Sequence, residues 1–163
     1  MTVSSRWHLI AAVCCLLAVG GCLGISTAPE QGDYEWTTVT AVDGETNDEL
    51  ATVDVRIADT FDKRYTGLSN TSSLDAGEGM LFIHNSESDR AYVMRDMAFP
   101  IDIIHIGADG EITAVHHAEL EADQSALTEY RGTAKYVLEV PYEYTADNGI
   151  EAGDRIEIPE QYH

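Results

Sequence analysis

The residue of this 163-residue chain with the most to say about chemistry is Asp102, which interrupts the apolar run Phe99-Pro100-Ile101-Asp102-Ile103-Ile104. A carboxylate inside a buried strand costs on the order of several kcal/mol unless it is paired or well hydrogen-bonded. It therefore needs a partner, and Arg64 and Arg95 are the candidates, because a guanidinium fork meets a carboxylate at two points. Two readings follow. Either Arg64, Arg95, Asp96 and Asp102 form a candidate polar pocket that orients a ligand, or Asp102 and an arginine make a closed ion pair that only fixes loop positions. The closed pair is the more ordinary outcome for a buried acid.

The other reactive side chains offer less. His84, His105, His116 and His117 follow the apolar leader, and a mixed carboxylate and imidazole metal site can be drawn from Asp102 and His105. Strand geometry opposes it, since residues an odd number apart face opposite ways, and the same holds for His116 and His117. No HExxH pattern is present, so no metal site and no cofactor are expected. Nucleophilic catalysis lacks a GxSxG elbow, and the serines at Ser69, Ser72 and Ser73 stand among turn and cap residues. Carboxylate pairs are uninformative in a chain with 29 acidic residues. No catalytic residue is assigned. Met80, Met94 and Met97, with Tyr92 and Phe99, could line an apolar or soft-metal pocket, but core packing is the expected role of Met80 and Met94.

The elements that must position these residues are strands. Apolar residues recur with a period of two at Trp36–Val42 and Thr52–Ile57, with Asp43-Gly44 as a turn between them. Further strands are expected at Gly79–His84, Ala91–Met94, Ile101–Ile106, Glu111–Ala118, Tyr136–Val140 and Arg155–Ile158, and Asp109-Gly110 marks a hairpin. Eight short strands with little helix give a mainly β, single-domain fold, a β-sandwich or barrel with one or two short helices. The helical turns are placed at Ser72–Asp75 and from Pro141 to Asn148-Gly149. The segment Glu119–Arg131 reads as an acidic loop or a short exposed helix.

The amino terminus addresses the chain elsewhere. Arg6 precedes an apolar stretch from Trp7 to Val19, then Gly20-Gly21-Cys22, which is the layout of an export signal and too short for a comfortable membrane span. Val19-Gly20-Gly21-Cys22 resembles a lipobox, so residues 1–21 are expected to be removed and Cys22 lipidated. Cys14 and Cys15 would go with the leader, which leaves no intramolecular disulfide. Residues 22–35 read as a lipid-anchored tether and 36–163 as the β domain. The expected location is the outer face of the cytoplasmic membrane.

Charge narrows the partners. The chain carries 29 acidic and 9 basic residues, a net −20, and only two of the basic residues, Lys63 and Lys135, are lysines. Such a field repels nucleic acid and excludes it as a partner, and it admits an anionic ligand only at a locally basic site. A carboxylate-rich, lysine-poor surface stays hydrated in strong brine, where salt screens its self-repulsion, and predicts a salt-loving owner, an archaeon.

Several of these segments, taken in order, resemble the blocks of the DUF192 (UPF0127) family, domain of unknown function 192, in an exported lipoprotein form. They are Arg64-Tyr65-Thr66-Gly67-Leu68, Gly79-Met80-Leu81-Phe82, Val93-Met94-Arg95-Asp96-Met97 and Phe99-Pro100-Ile101-Asp102-Ile103-Ile104, followed by Ala134–Val140 and Ile150–Asp154. The likeness runs from about residue 52 to 158. It implies a largely β domain, often exported or membrane-tethered, with no established reaction. The chain departs from the family pattern at Val93, where tryptophan is usual, at Asp96, where asparagine is usual, and at His105, where an aromatic residue is usual.

The resulting expectation is a noncatalytic module that binds a small molecule or an envelope protein. The alternative is an extracytoplasmic hydrolase or isomerase that uses Asp102 or Asp96 as acid or base with an arginine fixing an anionic group. A purely structural envelope protein is the third.

Overall fold

The computed structural model describes residues 34–163. The leader, Cys22 and most of the expected tether lie outside the described residues. The last two tether residues belong to the folded body: the Glu35 carbonyl accepts a hydrogen bond from Ile57, and Tyr34 packs against the core.

Seven strands form one sheet: β1 (Trp36–Val42), β2 (Glu49–Ala58), β3 (Glu78–Tyr92), β4 (Ile101–Ile106), β5 (Ile112–Ala118), β6 (Tyr130–Pro141) and β7 (Arg155–Glu157). Their order is β5-β4-β6-β3-β2-β1-β7, antiparallel except for the β2–β3 pair. The sheet curls until its two edges meet. Ile112 N–H donates to the Asp154 carbonyl at 2.8 Å and Ile156 N–H to the Gly110 carbonyl at 2.9 Å, which gives the partly closed barrel-like form. Closure removes open edges that would otherwise invite pairing with other chains.

Alternation divides the side chains between two cores. Val53, Val55 and Ile57 of β2, Leu81 of β3, Ile104 and Ile106 of β4 and Leu138 and Val140 of β6 fill the inside of the curl. Ile101 and Ile103, Met80 and Phe82, and Val137 point to the outer face, where Leu68 and Met94 cover them. Met80 and Met94 are fully buried, as core methionines should be. Two-sided burial explains why β4 reads as an unbroken apolar run.

The connections decide where function can sit. A parallel pair needs a crossover, and β2 to β3 is joined by α1 (Phe61–Thr66) and a loop on the outer face. Thr60 caps α1 by accepting from the Lys63 N–H, and Gly67, at φ 49°, ends it with a bond to the Lys63 carbonyl. Gly67 also lies against Phe82, where an added Cβ would come within 3.3 Å of the ring. At the other end, α2 (Tyr144–Asn148) follows β6 and stops at Gly149 in the left-handed region.

Several expectations are corrected in detail. Gly79–His84 and Ala91-Tyr92 are parts of one strand, β3, which runs through the polar Asn85–Asp89 with a register shift between Ile83 and Ser88, and Val93 and Met94 lie beyond its end. Ser72–Asp75 is irregular and the helix lies earlier, in α1. Pro141 ends β6 rather than starting α2, whose N-cap is Glu143. Glu119–Glu129 is loop, and Asp109-Gly110 does form the β4–β5 hairpin, with Gly110 at φ 88°. Among the described residues, no helix is long and apolar enough to cross a membrane.

Candidate functional site

Asp102 is fully buried, but its partner is not an arginine. It opposes His117 across the β4–β5 pair, and the His117 Nδ1 donates to its Oδ1 at 2.7 Å. The Glu143 N–H reaches the same oxygen at 3.1 Å, and the Thr145 N–H and Oγ1 reach Oδ2 at 2.9 and 2.6 Å. Four donors therefore satisfy both oxygens, and the carboxylate ties the start of α2 to the end of the curl. The expected arginines cannot reach it, because Asp102 faces the side of β4 that carries Ile104 and Ile106 while Arg64 and Arg95 lie over the opposite face.

Those two arginines do come together. Arg64, Arg95 and Arg90 line one cavity of about 510 Å³ on the outer face, between α1, the end of β3 and the segment after it. Asp96 and Asp102 are not among its lining residues. Asp96 sits on the following loop at φ 54°, with its N–H bonded to Gln124 Oε1 at 3.0 Å. The four residues of the expected polar pocket thus divide into a cavity pair, a loop residue and a closed network.

The cavity is built by local contacts. Arg64 Nη1 donates to the Asp59 and Ile83 carbonyls at 2.5 and 2.8 Å, which lays its side chain from α1 onto β3. Arg90 donates through Nε to the Ala134 carbonyl at 3.1 Å and through Nη2 to Ser86 at 2.6 Å. Arg95 bonds the Tyr65 carbonyl, and its guanidinium lies 4.1 Å from the Tyr65 ring centroid. Phe61 and Tyr65 stack at the mouth and are 72% and 62% exposed. Leu68, Phe82, Tyr92 and Met97 supply apolar wall.

Two titratable groups inside are held neutral. His84 Nε2 lies 3.0 Å from the Tyr92 hydroxyl, and burial, reinforced by Arg90 and Arg64, pushes its pKa down to about 4. Glu139 of β6 is 6% exposed, and burial pushes its carboxyl up to about 8 despite the opposing pull of Arg56. At neutral pH it is a carboxylic acid, a hydrogen-bond donor on the cavity wall. Sequence reasoning missed Glu139 and Arg90. The available signal was an acid inside the apolar run Tyr136-Val137-Leu138-Glu139-Val140, the same signal that marked Asp102.

His105 was paired in prospect with Asp102, and strand alternation separates them as expected. It is fully buried against Gly132, where a Cβ would stand 2.5 Å from the ring, and neither ring nitrogen has a hydrogen-bond partner among the described residues. No group of three or more metal-ligating side chains occurs among the described residues.

A curled, partly closed seven-strand sheet with a lined cavity on its outer face defines a small single-domain β protein. The chain belongs to the DUF192 family, described as an uncharacterised ACR, whose profile matches residues 42–158. It is similar to a solved protein of unknown function from Novosphingobium aromaticivorans DSM 12444, at 26% identity and a TM-score of 0.70, over 80% of this chain and 89% of that one. It is also similar to a protein from Sinorhizobium meliloti 1021 described as a candidate transcription regulator, at 24% identity and a TM-score of 0.68, over 76% of this chain and 94% of that one. The second likeness concerns the fold alone. No curated protein matches the chain.

Proposed function

We propose that the chain is a noncatalytic binding module, exported and held on the outer face of the cytoplasmic membrane by lipid on Cys22, that takes a small organic molecule into the Arg64–Arg90–Arg95 cavity. The cavity carries the reading. Its volume of about 510 Å³ is that of an ordinary small-molecule site, and it combines apolar wall with a few convergent polar groups. The acid-rich surface supports a salt-loving setting.

The hydrolase or isomerase alternative has no arrangement in its favour. Asp102 has both oxygens occupied by four donors, and Asp96 lies outside the cavity that holds the arginines. Two measurements test the proposal. Wild type should fractionate with membranes and Cys22→Ser should not; identical distribution removes the anchor. In a nitrogen-15 NMR titration of the full Cys22→Ser chain with small aromatic acids, amides and amines, shifts should gather on α1 and Arg90–Met97. Shifts from every class that avoid these residues remove the cavity as the site.

A further inference from the structure

Arginines are scarce in this chain and carboxylates abundant, yet the cavity arginines are left without acid partners. Seven arginines stand among 29 acids. The lysine and arginine ion pairs found among the described residues are Lys63–Asp59, Arg131–Asp89 and Arg131–Glu129. Arg64, Arg90 and Arg95 line the same cavity, and each is tied only to backbone carbonyls. Carbonyl bonds orient a guanidinium and occupy part of its donor set without cancelling its charge. Arg64 uses Nη1 alone, and Arg90 uses Nε and Nη2, so each keeps donors uncommitted.

Two nearby acids do not reverse this balance. Asp89 lines the cavity, but it is one exposed carboxylate against three arginines, and it points to Arg131 at 3.0 Å. Glu139 lines it too, and as a carboxylic acid at neutral pH it contributes a donor rather than a negative charge. The hydrogen bonds among the described residues leave its carboxyl without a partner, and its oxygens, which are not enclosed, open onto the cavity. The His84 imidazole is likewise neutral. The cavity is therefore a positive, donor-rich space inside a strongly negative molecule, and it is rimmed by the exposed rings of Phe61 and Tyr65.

We infer that the ligand is an organic anion with a flat apolar body, its carboxylate or phosphate head held by Arg64 and Arg90 with Glu139 donating to it, and its body lying against Phe82, Tyr92 and the Phe61–Tyr65 stack. This rests on the cavity being the binding site. The arginine fork matches the two-oxygen edge shared by both head groups. A local positive field also answers how an anion enters a chain of this charge.

Calorimetric titration of the full Cys22→Ser chain at pH 6.5 with 2-naphthoate, 2-naphthyl phosphate and 2-naphthamide tests it. One of the two anions should bind at least about tenfold tighter than the amide, the size of a charge-assisted hydrogen bond, and the stronger of the two identifies the head group. Arg64→Gln and Arg90→Gln should each erase most of that preference while leaving amide binding in place. Equal binding of anions and amide, or an anion preference unchanged in both variants, overturns the anion assignment and leaves the cavity reading standing. Failure of all three probes to bind overturns both.

Discussion

Asp102 and Glu139 are two buried acids on neighbouring strands. Asp102 pairs with Val140 and Glu139 with Ile103, so the two carboxyls are one register step apart and point to opposite faces of the sheet. Asp102 faces the end of the curl and accepts from three backbone or hydroxyl donors and an imidazole. Glu139 faces the outer cavity, receives none of these, and holds its proton up to about pH 8. The sequence environment of the two is almost identical. What separates them is whether the surrounding chain supplies the missing partners, and the side left incomplete is the one that opens to a cavity. A polar group whose needs are met internally is a part of the architecture, while one whose needs are unmet beside an opening is available to something else.

The comparison breaks most readily at Asp102. Asp102→Ala leaves the Thr145 and Glu143 N–H groups and the Thr145 hydroxyl without their acceptor and detaches α2 from β4. The expected cost is about 3–5 kcal/mol, read as a lower urea midpoint with a similar slope. Probe binding in the outer cavity of the surviving folded fraction should be unaffected. A loss below about 1 kcal/mol would show that the network is not what holds this end together.

Glu139→Gln should do the reverse. The folded carboxyl titrates near 8 and the unfolded one near 4.5. Below pH 4.5 both states hold the proton and burial carries no charge penalty. Between 4.5 and 8 the unfolded chain releases its proton while the folded chain keeps it, so wild-type stability falls as pH rises, then levels above 8. Gln removes that slope. The variant should match wild type near pH 4 and exceed it by several kcal/mol at pH 9, since wild type loses about 1.4 kcal/mol for each pH unit between 4.5 and about 8. Denaturation midpoints at pH 4, 7 and 9 check it, and a constant gap across the three would place the titration elsewhere.

How much of this was legible in the chain depends on the range of the interaction. Period-two alternation placed β1 and β4 at their observed ends, and Asp109-Gly110 placed the hairpin, because those signals are local. The acid in the apolar run identified Asp102 as needing a partner, again locally. Its partner was missed because strand parity was applied within β4 and β5 separately, whereas the Asp102–His117 contact depends on cross-strand register, which one strand does not encode. Arg64 and Arg95 were grouped only as candidate partners of Asp102. Their place on the opposite face was not legible, since the face a loop covers is fixed by the parallel β2–β3 crossover. β3 was split in two because Asn85–Asp89 lacks apolar alternation. Pairing with β6 breaks after Ile83 and resumes at Ser88, which continues the strand there without a buried face.

The finest division of the comparison lies within the Asp102 network itself. His117 is 44% exposed at its side chain and contributes one of four donors, whereas the three others come from the rigid junction of β6 and α2. If the network is architectural, its solvent-facing member is the least costly to remove. His117→Ala should lower stability by about 1 kcal/mol, the net worth of one hydrogen bond at a partly exposed site, because Glu143 N–H still reaches the oxygen that His117 leaves. Thr145→Val should cost more, since it takes the shortest contact from a buried oxygen. The reversed order, with His117→Ala the more damaging in paired urea denaturation, would mean that the imidazole governs this end of the fold.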